Sequence, residues 1–381
     1  MRVGIMTFLH NDNYGSTLQA WALQQVIREL GWEPEHLDYL PSAKEKITNM
    51  LRCRNHPSLL LDSIRRHRVQ KNQPGAAEKS AAFRRFRKEQ MVLSPVCHDR
   101  SALKAAAAEC DVLLCGSDQV WSPEWLNTAY MLDFASAEQP RIAYACSLGV
   151  STMPSPFKQE KMRACISPFT AVSVREEEGQ KILNALLPET DIALMPDPVF
   201  LRSRSQWLAL AGGEHSLPSK RGTLVCYFIG NSPAYWQKAH DLADTCGFTP
   251  IVIPVTSEAY GVSWEKAEGV SPQRWLALLA GAELLCTDSF HGAAFAAILG
   301  IPCCLMRRYR DQDKNSKNSR IDQLLRVLDC PSSESLLPSD HTDHRIRELR
   351  EKGTAWLAQS LSKAAAAAHR GGEKHSTDPA L

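Results

Sequence analysis

The stretch Glu283 to Pro302, ELLCTDSFHGAAFAAILGIP, decides the fold. Residues 284–287 predict a short buried strand, residues 288–291 a turn, and the Ala- and Gly-rich residues 292–299 a helix that ends at Gly300. A strand, a turn and a helix in this order place backbone N–H groups and the positive end of a helix dipole at the carboxyl edge of a sheet. The stretch therefore predicts an anion site in an α/β fold.

The turn also carries a hydroxyl and an imidazole, Ser289 and His291, and leads into Gly292. An imidazole titrates near neutral pH, so His291 is a candidate catalytic group, and Ser289 and Gly292 are candidate substrate contacts. A histidine at a strand–helix junction is equally well explained as a structural hydrogen-bonding residue. The other loops of the chain have to decide between these two interpretations.

The composition describes a globular protein with two domains. A chain of 381 residues exceeds a single core, and 44% hydrophobic with 23% charged residues is typical of globular proteins. The formal net charge of +2 gives no polyanion-binding surface, so we predict no nucleic-acid partner. The sequence shows neither a signal peptide nor an apolar run of membrane-spanning length, which predicts a cytoplasmic protein.

The 12 cysteines predict neither disulfides nor a metal centre. No Cys-x-x-Cys pair occurs, and several cysteines, such as Cys115, Cys146 and Cys226, fall inside strand-like runs. Buried, reduced thiols are the expected state. No histidine, cysteine and aspartate group has metal-ligand spacing, so we predict no metal and no cofactor.

The chain begins like a doubly wound α/β domain. Residues 3–8 predict a strand, a polar loop follows, and apolar residues at helical spacing predict a helix over 16–30. Ligands bind at such carboxyl-edge loops. The candidate substrate contacts here are Asn13, Tyr14, Gly15 and Gln19. Capping of the helix by Asn13 or Ser16 is the structural alternative, which would account for one of the four. The Gly-x-Gly-x-x-Gly dinucleotide fingerprint is absent.

A second loop with useful side chains follows the predicted strand 112–115 and reads GSDQVW, residues 116–121. Asp118 could accept a sugar hydroxyl or its proton, and Trp121 could stack on a sugar ring. Ser117 and Gln119 complete the predicted contacts of this loop. A turn capped by Asp118 is the structural alternative.

Basic residues at two further positions suit an anionic substrate. Arg175 ends a predicted strand, 171–174, and a guanidinium binds carboxylates and phosphates with two parallel hydrogen bonds. Pairing of Arg175 with one of the glutamates at 176–178 is the structural alternative. The basic segment 307–320 adds the candidate contacts Lys314, Asn318 and Arg320.

Residues 44–90 form a basic insertion with helix-like segments. Between Lys44 and Lys88 there are 13 lysines and arginines against three acids. Such a segment could contact an anionic glycan or the surface of a membrane. A solvated helical face is the simpler interpretation, and it is the one favoured at this point.

The motifs in order resemble one known family. The chain resembles the polysaccharide pyruvyl transferases in the ordered motifs NYGSTLQAWALQ, GSDQVW with its continuation to YMLDF, RIAYACSLG, VSVREEEG, PDPVFL, TDSFHGAAFAAILGIP and NSRIDQLL. The resemblance covers about residues 1–330. It implies an α/β fold with two Rossmann-like domains facing a cleft, a GT-B-like architecture.

The domain boundaries follow from this resemblance and from the breaks in pattern. We expect an N-terminal domain over 1–204 on the acceptor side and a C-terminal domain over 222–330 on the donor side, with the polar stretch 205–221 as a linker. We expect a helix over 340–368 that packs back on the first domain. Residues 370–381 are predicted to be a disordered tail.

The resemblance also implies the reaction. The donor would be phosphoenolpyruvate, the acceptor a sugar of a cell-surface polysaccharide or of its lipid-linked precursor, and the product a pyruvate ketal. Family motifs place the catalytic, donor-binding histidine on His291 and the anion-binding arginine on Arg175, whereas the role of Asp118 is inferred from its position. The alternatives are a nucleotide-sugar glycosyltransferase of the same fold and a catalytically silent member that binds glycans. The reaction would take place in the cytoplasm or at the inner face of the membrane, with residues 44–90 as a possible membrane contact.

Overall fold

The computed structural model describes residues 1–212, 222–308 and 319–375. The strands of this part of the chain are β1 (Arg2–Met6), β2 (Glu33–His36), β3 (Val112–Cys115), β4 (Arg141–Cys146), β5 (Ala171–Val174), β6 (Ile192–Leu194), β7 (Thr223–Tyr227), β8 (Thr249–Val252), β9 (Glu265–Lys266), β10 (Leu284–Thr287), β11 (Cys303–Leu305) and β12 (Ser335–Leu336).

The helices are α1 (Tyr14–Glu29), α2 (Ala43–Arg52), α3 (Ser58–Lys71), α4 (Ala76–Gln90), α5 (Arg100–Ala108), α6 (Pro156–Ile166), α7 (Glu177–Leu186), α8 (Arg204–Leu210), α9 (Pro233–Cys246), α10 (Ser257–Gly261), α11 (Pro272–Ala280), α12 (Phe290–Leu299), α13 (Ser319–Val327) and α14 (Asp340–His375). Two 3₁₀ turns cover Thr128–Met131 and Pro198–Leu201.

Two six-stranded sheets carry the fold. The first has the order β2-β1-β3-β4-β5-β6 and is parallel throughout, and the second has the order β12-β11-β10-β7-β8-β9. In the second sheet only the short edge strand β12 runs antiparallel to its neighbour. Helices between parallel strands define two Rossmann-like α/β domains, as the sequence predicts. Their arrangement is GT-B-like.

The parallel register brings the carboxyl ends of neighbouring strands to one edge. Met6 pairs with Cys115, and Cys115 in turn pairs with Ala143. In the second sheet Thr287 lies between Tyr227 and Leu305. The loops that follow these strands therefore converge, which is where ligands bind in open α/β sheets.

The two domains share an apolar cluster beside that edge. The ring of Tyr14 on α1 stacks on Trp275 of α11, with ring centroids 5.3 Å apart and planes 10° apart. Trp207 packs between Trp21 of the first domain, at 5.2 Å, and Phe295 of the second, at 4.8 Å. Because these rings are buried, their contacts hold the domains together through the hydrophobic effect.

The long helix α14 lies on the first sheet. Leu357, Leu361 and Ala364 are fully buried in a cluster that includes Val3 and Leu114. Burying a leucine side chain contributes on the order of 2 kcal/mol, so these contacts are enough to fix the helix on the first domain. The helix continues to His375, past the predicted start of a tail at residue 370.

Three local predictions differ from the structure. The second strand covers Glu33–His36 instead of 36–40, and it is an edge strand, where Pro34 removes no needed hydrogen bond. The predicted linker begins with α8, which has a Ser203–Gln206 capping box and the buried Trp207. The remainder of the predicted linker, 213–221, lies outside the described residues.

The basic insertion forms α2, α3 and α4, but it is not one solvated face. Phe83 and Phe86 of α4 are buried in the apolar cluster that both domains share. Helices α2 and α3 leave large apolar side chains exposed. None of the helices in the described part of the chain is both long and apolar enough to cross a bilayer.

Candidate active site

Asp197 lies at the centre of the site. It follows β6 in the sequence Pro196-Asp197-Pro198, and its side chain is completely buried. Its carboxylate accepts a hydrogen bond from Nη1 of Arg175 and another from the backbone N–H of Val199, at 3.1 Å. Nε2 of His291 lies 3.4 Å from Oδ2 of the same carboxylate. One carboxylate of the first domain thus connects Arg175 and His291, two of the three residues that the sequence predicts as catalytic.

The charge of Asp197 is stabilised by these neighbours. Burial alone would raise the pKa of the carboxyl group, but the imidazole of His291 and the guanidinium of Arg175 outweigh burial and lower that pKa from 3.8 to about 2. Asp197 is therefore ionised at neutral pH.

His291 is in the first turn of α12, not in the turn before it as the sequence predicts. Its ring lies against the backbone of Gly15 in α1, where a Cβ atom would be 2.1 Å from Nδ1. The side chain is 12% exposed, and the approach to Asp197 is the polar contact of the buried Nε2. The first turn of α1 and the first turn of α12 thus meet at the imidazole of His291. A side chain at position 15 would overlap the ring, so this position requires glycine.

Arg175 is held by two carboxylates and an aromatic ring. Besides Asp197, it contacts Oε1 of Glu176 through Nε at 3.2 Å, and its guanidinium carbon lies 4.6 Å from the ring centroid of Phe290. Burial lowers the pKa of Arg175, but the charges of Glu176 and Asp197 more than compensate and raise it. Nη2 is buried without a hydrogen-bond partner. The group is therefore a fixed cation with one unused donor.

Glu176 has a similar unused oxygen. Its Oε1 accepts a hydrogen bond from the hydroxyl of Ser147 at 2.5 Å, whereas Oε2 is buried without a partner. The structural alternative, pairing of Arg175 with a neighbouring glutamate, is therefore observed. It accounts for only part of the hydrogen-bonding capacity of both side chains.

Arg320, in the first turn of α13, adds a second cation. Burial and then the charge of Arg175 lower the pKa of its guanidinium to about 10. Its Nε is buried without a hydrogen-bond partner. Two nearby guanidinium groups that repel one another, each with an unmet donor, are suited to hold an anion between them.

Asp118 faces the same group of charges. It follows the carboxyl end of β3 and interacts electrostatically with Arg175 and Arg320. Its Oδ1 accepts from the backbone N–H of Gln119 at 2.8 Å, and its Oδ2 accepts from the hydroxyl of Ser16. Both oxygens thus have partners within the loop and α1, while one side of the residue faces the cations.

The start of α12 supplies the predicted anion-binding turn. Ser289 caps the helix by accepting from the N–H of Gly292 at 3.3 Å, and Gly292 is packed against Thr287, so that a Cβ would be 2.6 Å from Oγ1. The first turn of a helix leaves N–H groups without an intrahelical acceptor. Next to it, Arg308 contacts Oδ2 of Asp288 at 3.0 Å. Ser289 and Gly292 therefore shape the turn, and the helix dipole provides its positive end.

A cavity of about 260 Å³ opens beside Arg175 and Phe290. Its charged lining includes Arg320 of α13 and Lys352 of α14, together with Glu176 and Asp197. His291 is not among the lining residues and is connected to them through Asp197. Cations from three separate elements, two of them late in the chain, thus border one cavity.

Several predicted substrate contacts are structural residues instead. The prediction for Trp121 as a stacking surface is wrong, because its ring is completely buried and its Nε1 donates to the carbonyl of Tyr130 at 3.0 Å. Tyr14 is buried between the domains and donates to the carbonyl of Val270 at 3.1 Å. Ser117 is fully buried and donates to the carbonyl of Ala145.

Three further residues of the first domain serve its loops. Gln19 is fully buried, and its Oε1 accepts from the N–H of Ser117 at 3.0 Å. Asn13 caps α1 by accepting from the N–H of Ser16 at 3.1 Å, which is the structural alternative for that residue. Gln119 is half-buried and lies over Gly149. Of the predicted contacts, Lys314 and Asn318 lie outside the described residues.

Sequence reasoning did not assign a role to four residues that the structure brings to the site: Asp197, Glu176, Phe290 and Lys352. Asp197 had a signal, since an acid between two prolines directly after a predicted strand is held at a sheet edge. Lys352 had none, because it comes from the middle of α14. The described residues contain no group of three or more metal-ligating side chains.

The family model described as "Polysaccharide pyruvyl transferase" matches residues 13–308, most of the chain and nearly every residue discussed above. Among curated proteins no sequence matches this chain at a significant level.

Solved structures resemble the chain at the level of fold. A UDP-GlcNAc 2-epimerase from Neisseria meningitidis aligns with a TM-score of 0.49 and 10% identity, over 95% of this chain and 100% of that one. An alpha-glucosyltransferase in complex with UDP and DNA aligns with a TM-score of 0.47 and 10% identity, over 97% of this chain and 95% of that one. Similarities this low carry no argument about substrate or mechanism.

Proposed function

Because the chain belongs to the polysaccharide pyruvyl transferase family, we propose that it transfers the pyruvyl group of phosphoenolpyruvate to a sugar of a polysaccharide or of its lipid-linked precursor. The product is a cyclic ketal across two sugar hydroxyls, and the second product is inorganic phosphate. The reaction is placed in the cytoplasm, and no step is assigned to a metal or an organic cofactor.

The observation that supports this proposal is the meeting of Arg175 and His291 at Asp197. Phosphoenolpyruvate carries a carboxylate and a phosphate on one small frame, so its site needs several fixed donors and positive charge. Arg175 and Arg320 each have a buried donor without a partner, and α12 adds the positive end of its dipole. These groups come from both domains, so a bound diacid would bridge them.

In the proposed reaction, a proton adds to the methylene carbon of phosphoenolpyruvate and the adjacent carbon becomes cationic. A sugar hydroxyl attacks that carbon and forms the first C–O bond, and the hydroxyl then loses its proton. The bond from this carbon to the phosphate oxygen then breaks, and a second hydroxyl attacks and loses its proton. The sum is one new methyl group, two new C–O bonds and one released phosphate.

His291 supplies or relays the proton in this scheme. Gly15 and Asp197 fix the imidazole ring from two sides, which positions it for proton transfer. As an imidazolium, the same group can also stabilise the phosphate that leaves. Asp118 is assigned to the acceptor hydroxyl, which it orients or deprotonates from the first domain.

Release of phosphate from phosphoenolpyruvate in the presence of a panel of acceptor glycans tests the proposal. We expect phosphate release that depends on an acceptor, and a decrease in kcat/KM of about 10²- to 10⁴-fold for His291→Asn, as is usual for loss of an acid–base group. The matched control is His344→Asn, since His344 is 60% exposed on α14.

Two results would contradict the proposal. One is unchanged phosphate release by His291→Asn. The other is a thermal shift with nucleotide sugars together with no response to phosphoenolpyruvate, which would favour a glycosyltransferase.

A further inference from the structure

Helices α2 and α3 expose an unusual amount of apolar surface. Five of the eleven exposed large hydrophobic side chains in the described part of the chain lie on these two helices: Ile47, Leu51, Leu61, Ile64 and Val69, with exposures of 47%, 69%, 67%, 48% and 51%. Isolated exposed apolar residues are normal, but a concentration of them marks an interaction site.

The same two helices expose mainly positive charge. Among their described side chains and the turn between them, six basic groups are exposed: Lys44, Lys46, Arg54, Arg65, Arg68 and Lys71. The exposed acid is Asp62, since Glu45 is buried and pairs with Arg100 at 2.6 Å. We call the exposed apolar and basic residues of α2 and α3 the α2–α3 surface.

On α3, apolar and basic side chains lie on the same stripe of the helix. Leu61, Ile64, Arg65 and Arg68 follow one another at i, i+3, i+4 and i+7, so they lie on one stripe of the helix. In α4, which belongs to the same insertion, Phe83 and Phe86 are instead buried in the core. Among the described side chains of the insertion, the large apolar ones that are exposed thus lie on α2 and α3.

We propose that the α2–α3 surface docks on an anionic phospholipid bilayer. Apolar side chains next to lysine and arginine fit a bilayer surface, where the former reach the acyl chains and the latter remain among the phosphates. A polar glycan would leave five large apolar side chains without a suitable environment. A second copy of this chain would bring six exposed cations of one surface against six of the other.

The α2–α3 surface belongs to the first domain and is linked to the loop after Trp121. The side-chain amides of Asn49 and Asn55 both donate to the carbonyl of Leu126, at 3.0 and 2.8 Å. This loop carries the exposed Trp125 and follows Asp118 in the chain. If the proposed function holds, the docked membrane would lie on the domain that takes the acceptor.

Flotation of the full-length protein with vesicles tests the proposal without use of the enzymatic activity. We expect binding to vesicles of phosphatidylcholine mixed with phosphatidylglycerol, and much weaker binding to phosphatidylcholine alone. Arg65→Gln with Arg68→Gln should lower the vesicle partition coefficient on the order of fivefold for each residue. Leu61→Glu with Ile64→Glu should lower it at least as much.

Matched controls separate this surface from general effects of charge and exposure. Leu337 has the same 67% exposure as Leu61 but lies in the second domain, so Leu337→Glu should leave binding unchanged. Lys104→Gln with Lys363→Gln removes two exposed lysines from α5 and α14 and should have little effect. Circular dichroism and thermal unfolding confirm that each variant is folded.

Three outcomes would overturn the proposal. Equal binding to vesicles with and without phosphatidylglycerol would show that the basic residues do not contribute to binding. An equal loss of vesicle binding in Leu337→Glu would show that binding does not depend on the α2–α3 surface. Self-association that disappears in Leu61→Glu with Ile64→Glu, without vesicle binding by the unaltered protein, would show that a second copy covers the surface.

Discussion

Two regions at the sheet edges were expected to bind substrate, and they differ in how well their polar atoms are satisfied. In the loop 116–121 the hydroxyl of Ser117 and the indole N–H of Trp121 have partners within the first domain. In the group around Asp197, single atoms of three residues are buried without a partner: Nη2 of Arg175, Oε2 of Glu176 and Nε of Arg320.

This difference separates a scaffold from a binding site. Buried polar atoms in folded proteins are nearly always paired, so several unpaired atoms close together indicate groups that a ligand will satisfy. The loop 116–121 is rich in side chains that can bind sugars, but most of these atoms already hold the loop in place. Residue types suggest where chemistry is possible, whereas unmet hydrogen bonds show where a partner is needed.

The strongest test of this contrast is Asp197→Asn. The substitution removes the charge of one of the two carboxylates that pair with the buried Arg175, and breaking a buried pair from one side costs about 3–5 kcal/mol. We expect the free energy of unfolding in urea to fall by about that amount and activity to be lost.

Asp329→Asn is the matched control, because Asp329 pairs with His341 but is 74% exposed. Its effect on the free energy of unfolding should stay below about 1 kcal/mol. A loss for Asp197→Asn as small as the control would show that Asp197 does not hold Arg175 in place.

The contact between Gly15 and His291 provides the next test. Alanine would normally favour a helix over glycine by about 1 kcal/mol, but in Gly15→Ala the new Cβ would lie 2.1 Å from Nδ1 of His291 and displace the ring. A misplacement of about 1 Å can reduce rate on the order of 100-fold, and we expect kcat/KM to fall by that order.

Gly261→Ala in α10 is the control for Gly15→Ala, since no atom lies within 4 Å of the added Cβ. It should leave kcat/KM unchanged. If Gly15→Ala retains full activity, the position of His291 against α1 does not matter for the reaction.

The pH dependence of stability gives a smaller effect with a definite sign. The pKa of Asp197 is lowered from 3.8 to about 2, so its contribution to stability is complete above the unfolded-state pKa and is lost as pH falls towards 2. The lowered pKa corresponds to about 2 kcal/mol. In acid titrations monitored by the free energy of unfolding, Asp197→Asn should lack this component, and an identical pH profile for both proteins would contradict the assignment.

The sequence predicts much of the fold because its signals are local. Strand 284–287 agrees with β10 because an apolar run, a Gly-rich helix and a C-terminal glycine point to the same boundaries. Arg175 and His291 could each be placed at the carboxyl edge of a sheet, but they follow strands of different sheets, so their convergence depends on how the two domains pack. By contrast, the polar EPEH of β2 becomes a strand through its pairing with β1, which overrides propensity.

The direction of the side chains was the main feature of the site that could not be predicted from the sequence. In the loop 116–121 nothing local distinguishes a tryptophan that faces substrate from one that faces the core, and the ring of Trp121 meets Phe169 from a distant segment. The role of Asp197 likewise depends on two partners, one 22 residues before it in the chain and the other in the second domain. Such contacts follow from tertiary packing and have no short-range signature.

Trp121→Phe tests whether the loop 116–121 is a scaffold, and it has the smallest expected effect. The substitution removes the hydrogen bond to the carbonyl of Tyr130 and leaves a gap beside Phe169, so we expect a loss in the free energy of unfolding of about 1–2 kcal/mol. Because the ring is buried, KM for the acceptor should not change. Trp125→Phe, at a position 38% exposed in the segment that follows this loop, should cost less than about 0.5 kcal/mol. A raised acceptor KM with unchanged stability in Trp121→Phe would mean that the loop opens to bind sugar and that its internal hydrogen bonds do not mark a scaffold.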